Sequence, residues 1–406
     1  MIVVVVAIVL CAGIGVAMTV ARSDAARDRA RDRANAADAA AQRVKAERAA
    51  LVKSVAFFPR PGTVDAAPTL PVSVTVGSGR LTAVSLKGSD GRTLSGAFDS
   101  SAKRWQSRAS LVPATTYRVT ATTAGASGLT VAATSAFRTV TPTARVAATV
   151  FPDNGMTVGV AQPIVIRFDH FVDSDTSRAA VLSHLTVTES RPVPGGWHWF
   201  STRELHFRPQ QLWPSGEQVT LDTNLDGWDA GHTLWGTGRQ HVRFAIGHSH
   251  IAVANLSTDQ MTVSEDGRII ATYPFSGGRP TDPTMNGMHI VMDTQNVVRM
   301  VSSTNGVPVN SPDGYDELVY ADVHISDTGE YVHSAPWSVN SQGRTNVSHG
   351  CINLSPSNAL AFYAFSRVGD LVEVVDGPRP PVAGDHGVMD WGTPWSDWTS
   401  AVVSKA

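Results

Sequence analysis

From about residue 51 to residue 140 the apolar residues of this chain recur at every second position, in short runs separated by glycine and serine turn signals. A period of two sends alternate side chains to opposite faces of an extended strand, which confines the chain to sheets with one covered face. Val72, Val74 and Val76 alternate with polar residues, and LVPATTYRVTATT sets Tyr117, Val119 and Ala121 on one face. In a second block, residues 145–247, QPIVIRFDHFV groups Ile164, Ile166 and Phe168, and ELHFRPQQLWPSGEQVTLDTNL reads as two strands around a proline-containing turn. Short strands at this spacing predict two β-sandwiches, with TPTA near Thr141 as the linker between them. Neither block holds a clustered Ser, His, Asp or Cys set along its sequence.

The texture ahead of the sandwiches is different. Residues 23–50 are rich in Ala, Arg and Asp and contain no Pro or Gly. Opposite charges recur three or four apart without an apolar stripe, as in a solvated helical stalk. Residues 1–21, MIVVVVAIVLCAGIGVAMTVA, are uncharged, and about 20 apolar residues are what a bilayer core requires. This segment reads as a membrane anchor or a signal segment. Its basic residues follow the span, the reverse of the charge order expected for an exported chain. A net charge of -2 leaves no basic footprint for nucleic acid.

After residue 248 the pattern changes again. QMTVSEDGRIIATYP predicts a hairpin closed on Asp266-Gly267. Further strands are expected at GMHIVMD, GEYVHSA and DLVEVVD, where His289 and, between them, His324 read as ordinary strand residues. Ser355-Pro356 has the form of a helix N-cap followed by proline in the first turn, with Leu360, Phe362, Tyr363 and Phe365 as the apolar face and Gly369 as the stop. Trp391, Trp395 and Trp398 mark a tail, and the last two suit a short helix packed on the body. The expected organisation is mainly β: 1–21 anchor or signal segment, 22–50 stalk, 51–142 and 145–247 sandwiches, 248–378 a third β-rich domain, and 379–406 a small C-terminal subdomain.

The chain has two cysteines, Cys11 in the apolar run and Cys351 in TNVSHGCINLSPSN. A cysteine used for packing normally sits among apolar residues. Cys351 instead has Ser348, His349, Gly350 and Asn353 within three positions, with a helix expected just beyond it. Helix N-termini and imidazoles lower a thiol's pKa. A nucleophile also needs a base, and His333 in GEYVHSAPW, on a strand of its own, is the candidate. Gly350 permits a tight turn that could aim backbone amides at an oxyanion. These residues leave a catalytic thiol, a structural cysteine and a metal ligand all open, although Cys351, His349 and His333 lack a standard zinc spacing.

The stretch HSAPWSVNSQGRTNVSHGCINLSPSNA resembles the signature of the L,D-transpeptidases, and the resemblance spans about residues 251–375. The two upstream sandwiches resemble the paired immunoglobulin-like domains of mycobacterial-type members, and the Trp-rich tail resembles their C-terminal subdomain. The resemblance implies that Cys351 attacks the carbonyl between the third and fourth residues of a peptidoglycan tetrapeptide stem and releases the terminal D-alanine. His333 would form a thiolate–imidazolium pair with it, oriented by the backbone carbonyl of Ser334. The amides of Gly350 and Cys351, with His349, would form the oxyanion hole, while Ser348, His349 and Asn353 hold the loop and the stem peptide. The side-chain amine of a second stem's diamino acid then attacks the thioester to give a 3→3 cross-link, with no metal or cofactor.

RMVSSTNGVPVNSPDGY resembles the lid of these enzymes, which implies that Met300, Tyr315 and Trp337 line the donor channel. Asn305 departs from the pattern, standing where relatives often have Tyr. The resemblance further implies a carbapenem adduct at Cys351 and a place in the cell envelope, on the outer face of the cytoplasmic membrane. An L,D-carboxypeptidase and a non-catalytic wall-binding protein are the alternatives.

Overall fold

The computed structural model describes residues 5–400, with side chains from residue 26 onward apart from Asn305. The side chains of the apolar segment 1–21, Cys11 included, lie outside the described residues, as does the side chain of Asn305. Among the described residues no helix is long and apolar enough to cross a membrane. The chain divides into two compact units, residues 1–141 and 142–406.

The first unit begins with the helix Val5–Lys53, whose side chains from residue 26 to residue 50 are almost all exposed. Its last turn docks through Leu51, which is 2% exposed, and Glu47 accepts a hydrogen bond from Ser127 Oγ at 2.7 Å. The sandwich that follows pairs two four-stranded sheets. The expected alternation is present: Val72, Val74 and Val76 are buried from one sheet and Tyr117, Val119 and Ala121 from the other. Tyr117 stacks on Phe137 with ring centroids 5.5 Å apart.

The second unit opens with another pair of four-stranded sheets, packed around Ile164, Ile166, Phe168, Leu205, Val219 and Trp228. Its strand Glu204–Pro209 is buried at all six positions. Alternation explains only half of that: Leu205 and Phe207 face the sandwich core, whereas Glu204, His206 and Arg208 face the other way and are covered by the C-terminal segment. The guanidinium of Arg208 lies 4.7, 5.1 and 4.5 Å from the rings of Trp391, Trp395 and Trp398. The Trp-rich tail therefore packs on the body around a cation, a contact favoured by the negative faces of the rings.

The rest of the second unit is built on a five-stranded and a four-stranded sheet. The five-stranded sheet contains the hairpin of Gln260–Glu265 and Arg268–Pro274, closed by Asp266 and Gly267 at φ of 47° and 79°. The four-stranded sheet has the order Asp293–Val301, Asp316–Ser326, Glu330–Ser334, Ile352–Leu354, and it carries the site. The helix Pro356–Phe365 is capped by Ser355, whose Oγ accepts from Asn358 N at 3.3 Å.

Three local expectations are corrected. The helix stops at Phe365 because Ser366 turns extended, and Gly369 lies in the loop beyond, where a Cβ would meet Gly159 N at 2.8 Å. Leu360 is 61% exposed, so Ala359 and Phe362 supply the buried face instead. The helix does not follow Cys351 directly, because the strand Ile352–Leu354 intervenes.

Candidate active site

Cys351 immediately precedes Ile352–Leu354, which pairs in parallel with Glu330–Ser334, with His333 opposite Asn353. This pairing brings together side chains far apart in sequence. Cys351, His333 and Asn353 line one cleft of ≈ 250 Å³ with Met300, Tyr315 and Trp337. The ring of Tyr315 lies 5.2 Å from that of His349, and Trp337 lies 6.1 Å from His333.

The loop carrying the thiol is fixed mainly through its backbone. Ser348 Oγ donates to the Cys351 carbonyl at 2.6 Å and accepts from the Gly350 amide at 3.1 Å. Thr284 Oγ1 donates to the Gly350 carbonyl at 2.7 Å, and Ser348 N donates to Gly277 O at 3.0 Å. Gly350 has φ of 132°, and a Cβ there would lie 3.3 Å from Glu330 Oε1, so backbone geometry and space both favour glycine. Asn353 Nδ2 donates to Ser338 Oγ at 3.3 Å.

His333 Nδ1–H donates to the carbonyl of Ser334 at 3.1 Å, which leaves Nε2 as the acceptor nitrogen. Burial pushes the His333 imidazole down to about 4, against that carbonyl. Burial pushes the Cys351 thiol up to about 12; a hydrogen bond from the Tyr331 backbone opposes this, and the carboxyls of Glu330 and Asp322 add to it. Burial thus works against both charged forms of the expected thiolate–imidazolium pair, since desolvation penalises each. The Gly350 amide, expected in the oxyanion hole, is committed to Ser348 Oγ.

Sequence reasoning missed three ionisable groups behind this loop. Glu330 accepts from Met285 N at 3.1 Å and from Arg379 Nη1 at 2.5 Å, and burial pushes its carboxyl up to about 7. Asp322 is fully buried and likewise pushed up to about 7 by burial. Glu330 lies three positions before His333 in GEYVHSA, but nothing in that run announces a partner 49 residues away. His289 is fully buried and held by Met285 O and Ile325 O at 2.8 and 3.1 Å, while His324 stacks on Tyr331 away from the cleft lining.

An imidazole on one strand and a thiol just ahead of its parallel neighbour, behind β-sandwich modules, define a class of protein with a cysteine-bearing β domain. Comparison with known proteins gives that class a family. Residues 249–374 match the L,D-transpeptidase catalytic domain, and residues 63–229 match a bacterial Ig domain. L,D-transpeptidase 2 of Mycobacterium tuberculosis is 39% identical over 338 residues, covering 83% of this chain and 80% of the relative. L,D-transpeptidase 5 of the same species is 32% identical over 352 residues, covering 85% and 76%. A solved structure of the LD transpeptidase LdtMt1 in complex with imipenem superposes with a TM-score of 0.51 at 38% identity, covering 58% of this chain and 99% of that one. The chain belongs to the L,D-transpeptidase family and is an enzyme of that class.

Proposed function

We propose that this enzyme makes 3→3 peptidoglycan cross-links through a thioester on Cys351. The observation that carries the reading is the His333 tautomer: with Nδ1–H given to Ser334 O, Nε2 is free to take the thiol proton in the cleft that both side chains line. Transfer of the thiol proton to Nε2 activates the sulfur. Sγ bonds to the carbonyl between the third and fourth residues of a tetrapeptide stem as its proton passes to His333. The imidazolium then protonates the departing D-alanine amine, and the thioester remains. The amine of a second stem's diamino acid loses its proton to His333 and displaces sulfur, which regenerates the thiol.

In this reading the Cys351 amide and His349 face the developing oxyanion, and the Gly350 amide joins them only if Ser348 Oγ releases it. Asn353 and Ser348 hold the loop and the stem peptide. Met300, Tyr315 and Trp337 shape the donor channel. A relative of this chain has been solved with imipenem bound, and a carbapenem would acylate Cys351 here by the same attack. The apolar segment 1–21 would hold the enzyme at the outer face of the cytoplasmic membrane; its length and lack of charge support an anchor, while the basic residues that follow it run against the outward orientation.

The test is incubation of purified enzyme with a disaccharide tetrapeptide, read by mass spectrometry. A cross-linked dimer is expected from the parent and no product from Cys351→Ala. Trimmed tripeptide alone would replace the transferase with a carboxypeptidase.

A further inference from the structure

The polar face of Glu204–Pro209 gathers a second set of reactive side chains, remote in sequence from the thiol. His206 Nε2 lies 3.0 Å from Glu204 Oε1, and His386 Nε2 lies 3.3 Å from Glu204 Oε2. One ligand atom from each of the three residues falls within 4.8 Å of the others. The far nitrogen of each imidazole is held by a carboxylate: His206 Nδ1 is 2.7 Å from Asp390 Oδ1, and His386 Nδ1 contacts Asp327 Oδ2. Phe200 stacks on both imidazoles, at 4.9 and 4.5 Å, and fixes their planes. A cleft of ≈ 230 Å³ opens beside them, lined in part by His206, His386 and Asp390.

We propose that Glu204, His206 and His386 form a binding site for a zinc-class divalent cation. Two imidazoles and one carboxylate are a known three-ligand set for zinc, with a fourth position left for water. The carboxylate on each far nitrogen is the support that metal-bound histidines ordinarily have; it fixes the tautomer and presents the Nε2 lone pair inward. Charge agrees with geometry. Arg167 lies 2.9 Å from Glu204 Oε1 and is the guanidinium in contact with this carboxylate. Three carboxylates, Asp390, Glu204 and Asp327, face two guanidiniums, Arg167 on Glu204 and Arg208 near Asp390, so with neutral imidazoles one net negative charge remains toward a divalent ion. The adjoining cleft gives the fourth ligand room and access.

The donors come from separate elements. Glu204 and His206 belong to the sandwich and His386 to the C-terminal segment. Asp327 sits in the turn leading into Glu330–Ser334, the strand that carries His333. The cation would therefore fasten sandwich, tail and site-bearing sheet together, and its role is structural.

The experiment is calorimetric titration of Zn²⁺ into chelator-treated full chain carrying Cys11→Ser and Cys351→Ala, which removes both thiols as competing ligands. One equivalent is expected to bind and to raise the thermal midpoint, and Co²⁺ in its place should show the visible absorption of a low-symmetry site. His386→Gln, at the most exposed of the three ligands, is expected to lower zinc affinity by at least about 100-fold, and Asp327→Asn by about 10-fold. No uptake, or uptake unchanged in both variants, would overturn the proposal. It would leave the two histidines as protonated partners of the surrounding carboxylates.

Discussion

His333 donates its Nδ1 proton to the backbone carbonyl of Ser334, its own neighbour in the strand, at 3.1 Å. The acceptor is main chain, so the tautomer is set by the sheet. Substituting Ser334 should accordingly leave activity within a few-fold of the parent, whereas His333→Ala should slow acylation by about 100-fold or more, the scale for losing a positioned base. Single-turnover acylation by a carbapenem, followed by intact-protein mass spectrometry, measures both. An undiminished His333→Ala would remove the base from the mechanism.

Burial pushes the Cys351 thiol up to about 12, against a hydrogen bond from the Tyr331 backbone. Alkylation of Cys351 by iodoacetamide at pH 7 should then run at least about tenfold slower than for an exposed thiol of ordinary pKa near 8.5, and should rise steadily with pH. A preformed thiolate–imidazolium pair would instead give a flat, fast rate from pH 5 to pH 8. The pH–rate profile separates the two.

Asp322 links stability to pH. Its carboxyl is pushed from an ordinary 3.8 up to about 7 by burial, with the Asp293 charge acting in the same direction. Between those values the folded chain binds the proton more tightly than the unfolded chain, so folding stability falls as pH rises from about 4 to about 7. Asp322→Asn removes this loss. It should stabilise the protein by on the order of 3 kcal/mol at pH 8, and the gain should disappear near pH 4. Urea midpoints at the two pH values measure it. Glu330, displaced in the same direction, leaves a smaller slope in the variant.

Trp398 anchors the tail. It is fully buried, its Nε1–H donates to Gly196 O at 2.9 Å, and it stacks on His198 at 4.6 Å. Trp398→Ala should cost about 3–5 kcal/mol, the range for removing a large core aromatic, and expose the tail to proteolysis. Trp398→Phe keeps most of the buried surface and loses the hydrogen bond, for about 1 kcal/mol. Urea unfolding with limited chymotrypsin digestion, which can cut after Trp391 and Trp395, distinguishes the two variants.

The strands, the hairpin at Asp266-Gly267 and the Ser355 cap could be read from the chain because their causes are local. Side-chain alternation, positive φ at a turn and a hydroxyl reaching a nearby amide all act within a few residues. The thiol loop was legible for a related reason: polar neighbours and a glycine at φ 132° mark Cys351 from within the motif itself. The end of the following helix was misplaced because Ser366, with nothing in its side chain to signal it, turns extended three residues before the glycine that looked like a stop.

What the sequence determined by itself was the period of each segment, and hence sandwiches before a β-rich domain, together with the chemical identity of the nucleophile and its candidate base. Tertiary structure decided their surroundings. Whether a thiol or a carboxyl is ionised depends on the water that packing removes and on the partners that distant strands supply, and neither is written in local pattern. The same holds for Glu204, His206 and Arg208: their alternation forecasts a wet face, and only the return of the C-terminal segment over that strand turns it into buried chemistry.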